Sequence, residues 1–206
     1  YRETDPLGGI DPYSASKASA EIIFNSYLRS FIIKNSKLGA ASVRAGNVIG
    51  GGDWSKDRLV PDIVRSLKKS RFITIRNPKS TRPWQHVLEP LSGYILLAKK
   101  LYNNPKKFCG SWNFGPVNDD NLNVEEVARE FVYHFGHGKI VIDKKNNFGH
   151  EATLLQLNCD KAKRILGWRS RWNTKETIKR VAEWYKIDAK KKIDITISQI
   201  NEYYNQ

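Results

Sequence analysis

Short apolar, β-branched runs alternate with helix-period segments along the whole of this chain, and that alternation leaves few folds open. Residues 40–49 (AASVRAGNVI), 72–75, 112–114 and 139–142 read as strands. Between them, Ala15, Ala18, Ile22, Ile23, Phe24, Tyr27, Leu28 and Phe31 recur at helical spacing, which predicts a helix over residues 12–33. Further helices are expected over residues 61–68, over 87–102 with a true start near Pro90, and over 124–135, where Asn123 and Glu126 have capping-box spacing. Asp160 can cap residues 161–166, and Asn173 or Thr174 can cap an amphipathic helix to about Asp188. The polar tail 189–206 reads as a peripheral turn or helix. Strands alternating with helices predict an α/β protein with a largely parallel sheet. Sheets of that kind bind ligands at the carboxyl ends of their strands.

Composition excludes several classes of protein. At 40% hydrophobic and 27% charged residues, the 206-residue chain can bury a core and does not match a disordered or fibrous sequence. No apolar run approaches the roughly 18 residues of a transmembrane helix, so no membrane partner is expected. The net charge of +14 would suit a polyanion or a phosphate-bearing small substrate. The lysines are scattered, however, apart from Lys190, Lys191 and Lys192. No basic arm, zinc finger, helix-turn-helix or RNP-type strand accompanies them. A solvated lysine-rich surface is the simpler reading, and no nucleic-acid partner is expected. Cys109 and Cys159 form no CxxC pattern, and the polar residues 1–12 lack the apolar core of a signal peptide, so a reducing, cytoplasmic location is expected. The chain has no Met and starts at Tyr1, which predicts that it is cut from a longer protein.

Three segments carry candidate chemistry. Tyr13 and Lys17 stand four apart, which on a helix places them on one face. An ammonium near a phenol favours the phenolate, and a phenolate can act as a base towards an alcohol near neutral pH. A solvated Tyr–Lys pair satisfies the same spacing. Tyr102 and Lys106 repeat it, but Pro105 interrupts the helix that would align them, so this second pair reads as a surface loop. The second segment runs from Val43 to Gly50, a strand end that delivers Arg44 and Asn47 among small residues able to admit a ring or a phosphate. An asparagine turn is the plainer alternative. The third holds Arg76-Asn77-Pro78 and Arg82-Pro83-Trp84-Gln85-His86-Val87. A guanidinium fork suits a diphosphate, although surface arginines around a core tryptophan would look the same. His134 and His137, near a helix end, read as capping or surface groups. No His, Cys and carboxylate cluster has metal-ligand spacing, so no metal is expected, and G-x-G-x-x-G, Walker A and G-x-S-x-G phrases are all absent.

Taken in order, Tyr13-x-x-x-Lys17, R-A-G-N-V-I-G-G-G-D-W at 44–54, D-R-L-V-P-D-I at 57–63, R-P-W-Q-H-V-L-E-P-L-S-G-Y at 82–94, W-N-F-G-P at 112–116 and L-G-W at 166–168 make this chain resemble the extended short-chain dehydrogenase/reductase family. The G-G-G-D-W and R-P-W-Q-H phrases favour its nucleotide-sugar branch acting on CDP-glucose. The resemblance implies an α/β fold: the C-terminal part of an NAD-binding Rossmann fold with a smaller α/β substrate-binding domain. Residues 1–46 would be the last part of the Rossmann domain. Residues 47–206 would be mainly the substrate domain, with some segments returning to the Rossmann sheet. It implies NAD as cofactor and dehydration of CDP-D-glucose to CDP-4-keto-6-deoxy-D-glucose, towards deoxysugars of bacterial O-antigens. Tyr13 would take the proton of the sugar 4-hydroxyl, Lys17 would hold the nicotinamide ribose, and Ala45 would line the nicotinamide. Asn47 and Arg82 would contact the diphosphate, Arg76 and His150 the nucleotide side, and Leu59 and Val60 the pocket wall. The family's glycine fingerprint and its Thr-Asp-Lys phrase would lie upstream of Tyr1, so these 206 residues alone are expected to be inactive. A full-length homodimer through a bundle containing the Tyr/Lys helix is also implied. Another dehydratase or epimerase of the family, or a non-catalytic binding remnant, are the alternatives.

Overall fold

Asp11 and Pro12 start the first helix, α1 (Pro12–Tyr27), in a computed structural model that describes residues 1–35, 37–116, 122–143 and 155–205. The Asp11 side chain accepts the Ser14 N–H at 3.0 Å, and Pro12 occupies a position where its missing N–H costs nothing. There follow β1 (Ala41–Ala45), β2 (Val48–Ile49), α2 (Leu59–Lys68), β3 (Ile73–Ile75), β4 (Gln85–His86), α3 (Leu88–Asn103) and α4 (Pro105–Phe108). The remainder is β5 (Gly110–Phe114), α5 (Val124–Phe135), β6 (Ile140–Ile142), α6 (Thr174–Lys186) and α7 (Lys192–Tyr204). Among the described residues every paired strand is parallel: β1 with β5, β2 with β4 and β3 with β6.

The chain forms two compact units. The first comprises Tyr1–Ala45, Leu91–Phe114 and Leu157–Arg169; the second comprises Gly46–Pro90, Gly115–Gln156 and Ser170–Gln206. In the first, β1 and β5 pair in register from Ala41 opposite Gly110 to Ala45 opposite Phe114. Leu97, Phe108, Trp112, Phe114, Leu166 and Trp168 form its core. Both indole N–H groups there are satisfied, Trp112 by the Phe108 carbonyl at 2.9 Å and Trp168 by Ser92 Oγ at 2.9 Å. In the second unit α2 turns Val60, Ile63, Val64 and Leu67 inward at i, i+3, i+4 and i+7, against Phe131 of α5 and residues of α6 including Ile178. Each such side chain taken fully from water contributes about 1.5–3 kcal/mol.

Four elements differ from the sequence reading. The run 40–49 is two strands, not one, and they pair in different units. It breaks at Gly46, where the chain passes so close to Pro83 that a Cβ would lie 2.6 Å from that ring's Cγ. The first helix loosens after Tyr27 into a wider π-type turn, Leu28–Ile32. The helix α3 starts at Leu88, and Pro90 lies within its first turn, where no intrahelical donor is needed. Residues Ala162–Leu166 form a second π-type turn, ahead of which Asn158 Oδ1 accepts the Asp160 N–H at 3.1 Å, so Asp160 is not the capping acceptor. The tail, for its part, is the regular helix α7, and its Gln199 and Tyr203 are buried, which a merely peripheral segment would not show.

Candidate active site

In the first unit, Tyr13 and Lys17 lie one turn apart on α1, with Lys17 Nζ 5.8 Å from the centre of the Tyr13 ring. The phenol is 71% exposed, and Lys17 has no ion-pair partner among the described residues. On the same side of the helix as this pair the neighbouring side chains are the small ones of Ser16 and Ala20. One turn beyond Lys17, Glu21 faces the sheet. Its carboxylate takes Arg44 Nε at 3.1 Å and Nη2 at 2.9 Å, the Ser42 hydroxyl at 2.9 Å and the Ser111 hydroxyl at 3.2 Å. The Arg44 hydrogen bonds, followed by those of the two serines, hold the Glu21 carboxyl below the usual carboxylate range against the opposing effect of burial. Arg44 is thus engaged by Glu21. Ala45, the next residue and the end of β1, is half-buried.

The Tyr102–Lys106 pair is not aligned on one helix. The helix α3 ends at Asn103, and Asn104 caps the short α4 by accepting the Lys107 N–H at 3.2 Å. His134 lies 3.9 Å from Glu130 and His137 Nε2 lies 3.1 Å from the Leu67 carbonyl, both at the end of α5 as surface or capping groups.

In the second unit the structure brings the other two candidate segments side by side. Asn47, between β1 and β2, accepts the Gln85 N–H at 3.0 Å through its carbonyl, and Gly46 lies against Pro83. Arg82 is buried at 8% exposure and donates to the Thr81 carbonyl at 2.9 Å. Arg76, at the end of β3, pairs with Asp57 at 3.3 Å and is exposed. Leu59 packs at the edge of the core, and Val60 is inside it at 3% exposure. His150 lies outside the described residues. The Gly50–Trp54 loop is held from below by α6: the Tyr185 hydroxyl donates to the Asp53 carbonyl at 2.6 Å, and burial, with the nearby Asp53 charge, pushes that phenol up to about 12. Gly51 lies so close to Trp184 that a Cβ would sit 2.1 Å from the indole.

Two features here were not read from the sequence. Glu21 continues the i, i+4 series of Tyr13 and Lys17, and spacing along the chain gives no sign of its partner Arg44, 23 residues on. Glu89 is fully buried and accepts the backbone N–H groups of Arg171 at 3.1 Å and Trp172 at 2.7 Å and the Tyr203 hydroxyl at 2.8 Å. Burial pushes its carboxyl up, and these donors oppose that push. Among the described residues, no group of three or more His, Cys, Asp or Glu side chains is placed to hold a metal ion, and no helix is long and apolar enough to cross a membrane.

Parallel strands joined through helices make a Rossmann-type fold. The chain belongs to the GDP-mannose 4,6-dehydratase family, whose model matches residues 1–181. Among curated proteins, it is 49% identical over 190 residues to the CDP-glucose 4,6-dehydratase of Salmonella typhimurium, covering 90% of this chain and 53% of that protein. It is 23% identical over 192 residues to the human dTDP-D-glucose 4,6-dehydratase, covering 90% of this chain and 51% of that one. The chain therefore spans about half the length of the curated relatives it matches. Among solved structures, a Bacillus anthracis dTDP-glucose 4,6-dehydratase in complex with NAD superposes with a TM-score of 0.75 at 21% identity, covering 95% of this chain and 58% of that one.

Proposed function

We propose that the gene product containing this chain is an NAD-dependent CDP-glucose 4,6-dehydratase, and that this chain supplies its base and part of its substrate pocket. The observation that carries the proposal is the Tyr13–Lys17 face: an exposed phenol with an ammonium one helical turn away, on a helix bonded to a parallel strand. The 49% identity to the Salmonella enzyme supports the choice of CDP-glucose.

The first unit fits a dinucleotide. Lys17 has ammonium donors without an ion-pair partner among the described residues, suited to ribose hydroxyls, and the small side chains of Ser16, Ala20 and Ala45 leave room for a flat ring. NAD, held by Lys17 at its ribose and by the small residues beside it, would supply the hydride acceptor and donor that keep the reaction redox-neutral. Tyr13 Oη takes the proton from the 4-hydroxyl. Lys17 holds the ribose and stabilises negative charge as it develops on the Tyr13 oxygen. A keto group at C4 acidifies the C5 proton, which lets water leave across C5 and C6. In the second unit, Arg82 and Asn47, on neighbouring segments, hold the diphosphate by charge-assisted and amide donors. Arg76 and His150 serve the nucleotide side, with Leu59 and Val60 at the start of α2 belonging to the pocket wall and the core behind it. Residues 1–46 form the last part of the Rossmann domain, and residues 47–206 are mainly the substrate domain, with some segments returning to the Rossmann sheet.

The exposed Ile22, Ile23, Tyr27 and Phe31 of α1 and the turn after it support a homodimer through this helix. A cytoplasmic role in deoxysugar supply for surface polysaccharide completes the proposal.

The test is turnover by the full-length gene product with NAD, offered CDP-, dTDP-, UDP- and GDP-sugars in parallel and followed by the appearance of the 4-keto-6-deoxy product. CDP-glucose is expected to give the highest kcat/KM. Turnover of another nucleotide sugar with none of CDP-glucose would reassign the substrate, and epimerised product without loss of water would reassign the reaction.

A further inference from the structure

We infer that Glu21 is a positioning residue for the reaction, holding the Tyr13–Lys17 face at one rotation and one height on the strand that ends at Ala45. The inference rests on the catalytic reading of Tyr13 and Lys17 proposed above. The helix α1 buries none of its 16 residues, so apolar packing within the first unit does little to set its rotation. Bonds from one carboxylate do. Glu21 Oε1 and Oε2 receive the Arg44 fork at 3.1 and 2.9 Å, and the Ser42 and Ser111 hydroxyls converge on Oε2 at 2.9 and 3.2 Å. These donors come from both strands of the sheet, Ser42 and Arg44 from β1 and Ser111 from β5, so the helix is fixed to the strand pair and not to a single side chain. A two-pronged Arg–carboxylate contact constrains angle as well as distance. The two side chains are 15% and 22% exposed, which protects the pair from full solvent screening.

The geometry transmits directly to the site. Tyr13, Lys17 and Glu21 stand at i, i+4 and i+8, so they share one face, and Glu21 lies about 12 Å along the axis from Tyr13 at a rise of about 1.5 Å per residue. A rotation of α1 about its axis moves all three together. Arg44 also immediately precedes Ala45, so the same contact sets the helix against the strand end proposed to line the nicotinamide. A misplacement of about 1 Å in a reacting group can cost about a hundredfold in rate.

The experiment is Glu21→Gln in the full-length gene product, assayed with CDP-glucose and NAD beside Tyr13→Phe. The glutamine keeps the side chain's size and removes the charge that grips the Arg44 fork. The expected result is a fall in kcat of about 10–100-fold with KM unchanged, since Glu21 touches no substrate. Wild-type kcat, or kcat and KM lost together, overturns the inference. Should Glu21→Gln fail to fold, Arg44→Lys, which keeps the charge without the fork, and the double variant Ser42→Ala with Ser111→Ala carry the same test. A fall in kcat at constant KM in both supports the inference, and wild-type kcat in either overturns it. Tyr13→Phe separates the two readings. If it turns over at the wild-type rate, the catalytic assignment fails and the inference with it. If it is inactive while Glu21→Gln is wild type, only the role of Glu21 fails.

Discussion

His86 gives the second unit a stability that falls on mild acidification. Its ring is 3% exposed on β4, its Nδ1 accepts the Leu88 N–H at 3.3 Å, and its edge meets the Trp172 ring at a centroid distance of 4.9 Å. With Nδ1 accepting, Nε2 carries the proton of the neutral ring, and it has no hydrogen-bond partner among the described residues. Burial, reinforced by the Arg180 charge, lowers the imidazole from 6.5 to about 4. The folded state therefore refuses a proton that the unfolded chain binds. Between about 6.5 and about 4 the unfolded state carries more protons, so stability rises with pH and is lost as pH falls through that window. The full difference corresponds to about 3 kcal/mol, of which about 2 kcal/mol is lost between pH 7.5 and pH 5. Urea unfolding of the wild type and His86→Phe at half-unit steps over that range measures it. Four of the six tryptophans, Trp54, Trp84, Trp172 and Trp184, lie in the second unit and supply the signal. Phenylalanine keeps the ring against Trp172 and removes the titration, at a pH-independent cost of about 1 kcal/mol for the lost acceptor. The difference between the two curves isolates His86 from Glu89, whose raised carboxyl acts in the opposite sense, its contribution being lost as pH rises. It also isolates His86 from Glu21 and Asp53, whose lowered carboxyls give up their contribution only at lower pH. Parallel curves for the two proteins would refute the reasoning.

Three other outcomes are expected. Tyr203→Phe removes a buried hydroxyl donor 2.8 Å from the Glu89 carboxylate and should lower unfolding free energy by about 1.5–3 kcal/mol, with α7 losing protection from hydrogen exchange first; unchanged exchange in α7 would count against its being anchored there. Gly51→Ala would place a Cβ 2.1 Å from the Trp184 ring and should cost about 1–3 kcal/mol, visible as a lower urea midpoint; a wild-type midpoint would mean the loop shifts freely. Arg82→Ala should weaken CDP binding by about 1.5–3 kcal/mol and cytidine binding far less, and calorimetry showing equal losses would assign Arg82 to folding and not to the phosphates.

Features set by neighbours along the chain were legible in the sequence. The capping box of α5, in which Asn123 and Glu126 exchange bonds at 2.9 and 2.8 Å, needs only its own four residues. The same holds for Asn173, whose side chain accepts the Glu176 N–H at 2.8 Å. The separation of Tyr13/Lys17 from Tyr102/Lys106 also follows from local chemistry, because Pro105 cannot continue a helix and Asn104 starts a new turn. The short helix expected over residues 61–68 is α2, though its start at Leu59 lies two residues before the expected one.

Contacts between distant residues decided the rest. The β-branched, largely apolar stretch at 40–49 reads as one strand and does not show where it must end. The break falls at Gly46 because Pro83, far along the chain, comes too close for any side chain. The sequence sets Arg44 at a strand end among small residues without naming its partner, and Glu21, 23 residues earlier, takes its guanidinium. The tail looks too polar to be bound, yet Tyr203 reaches Glu89 across 114 residues, and a carboxylate fully removed from water has to be met by donors. Sequence alone determined the α/β alternation, the caps of α5 and α6 and the Tyr–Lys face, since each is a matter of backbone and spacing within a few residues. Only the tertiary structure decided which charge Arg44 serves, where the strand divides and that the last helix is held, because partner choice among buried polar groups depends on which surfaces exclude water together.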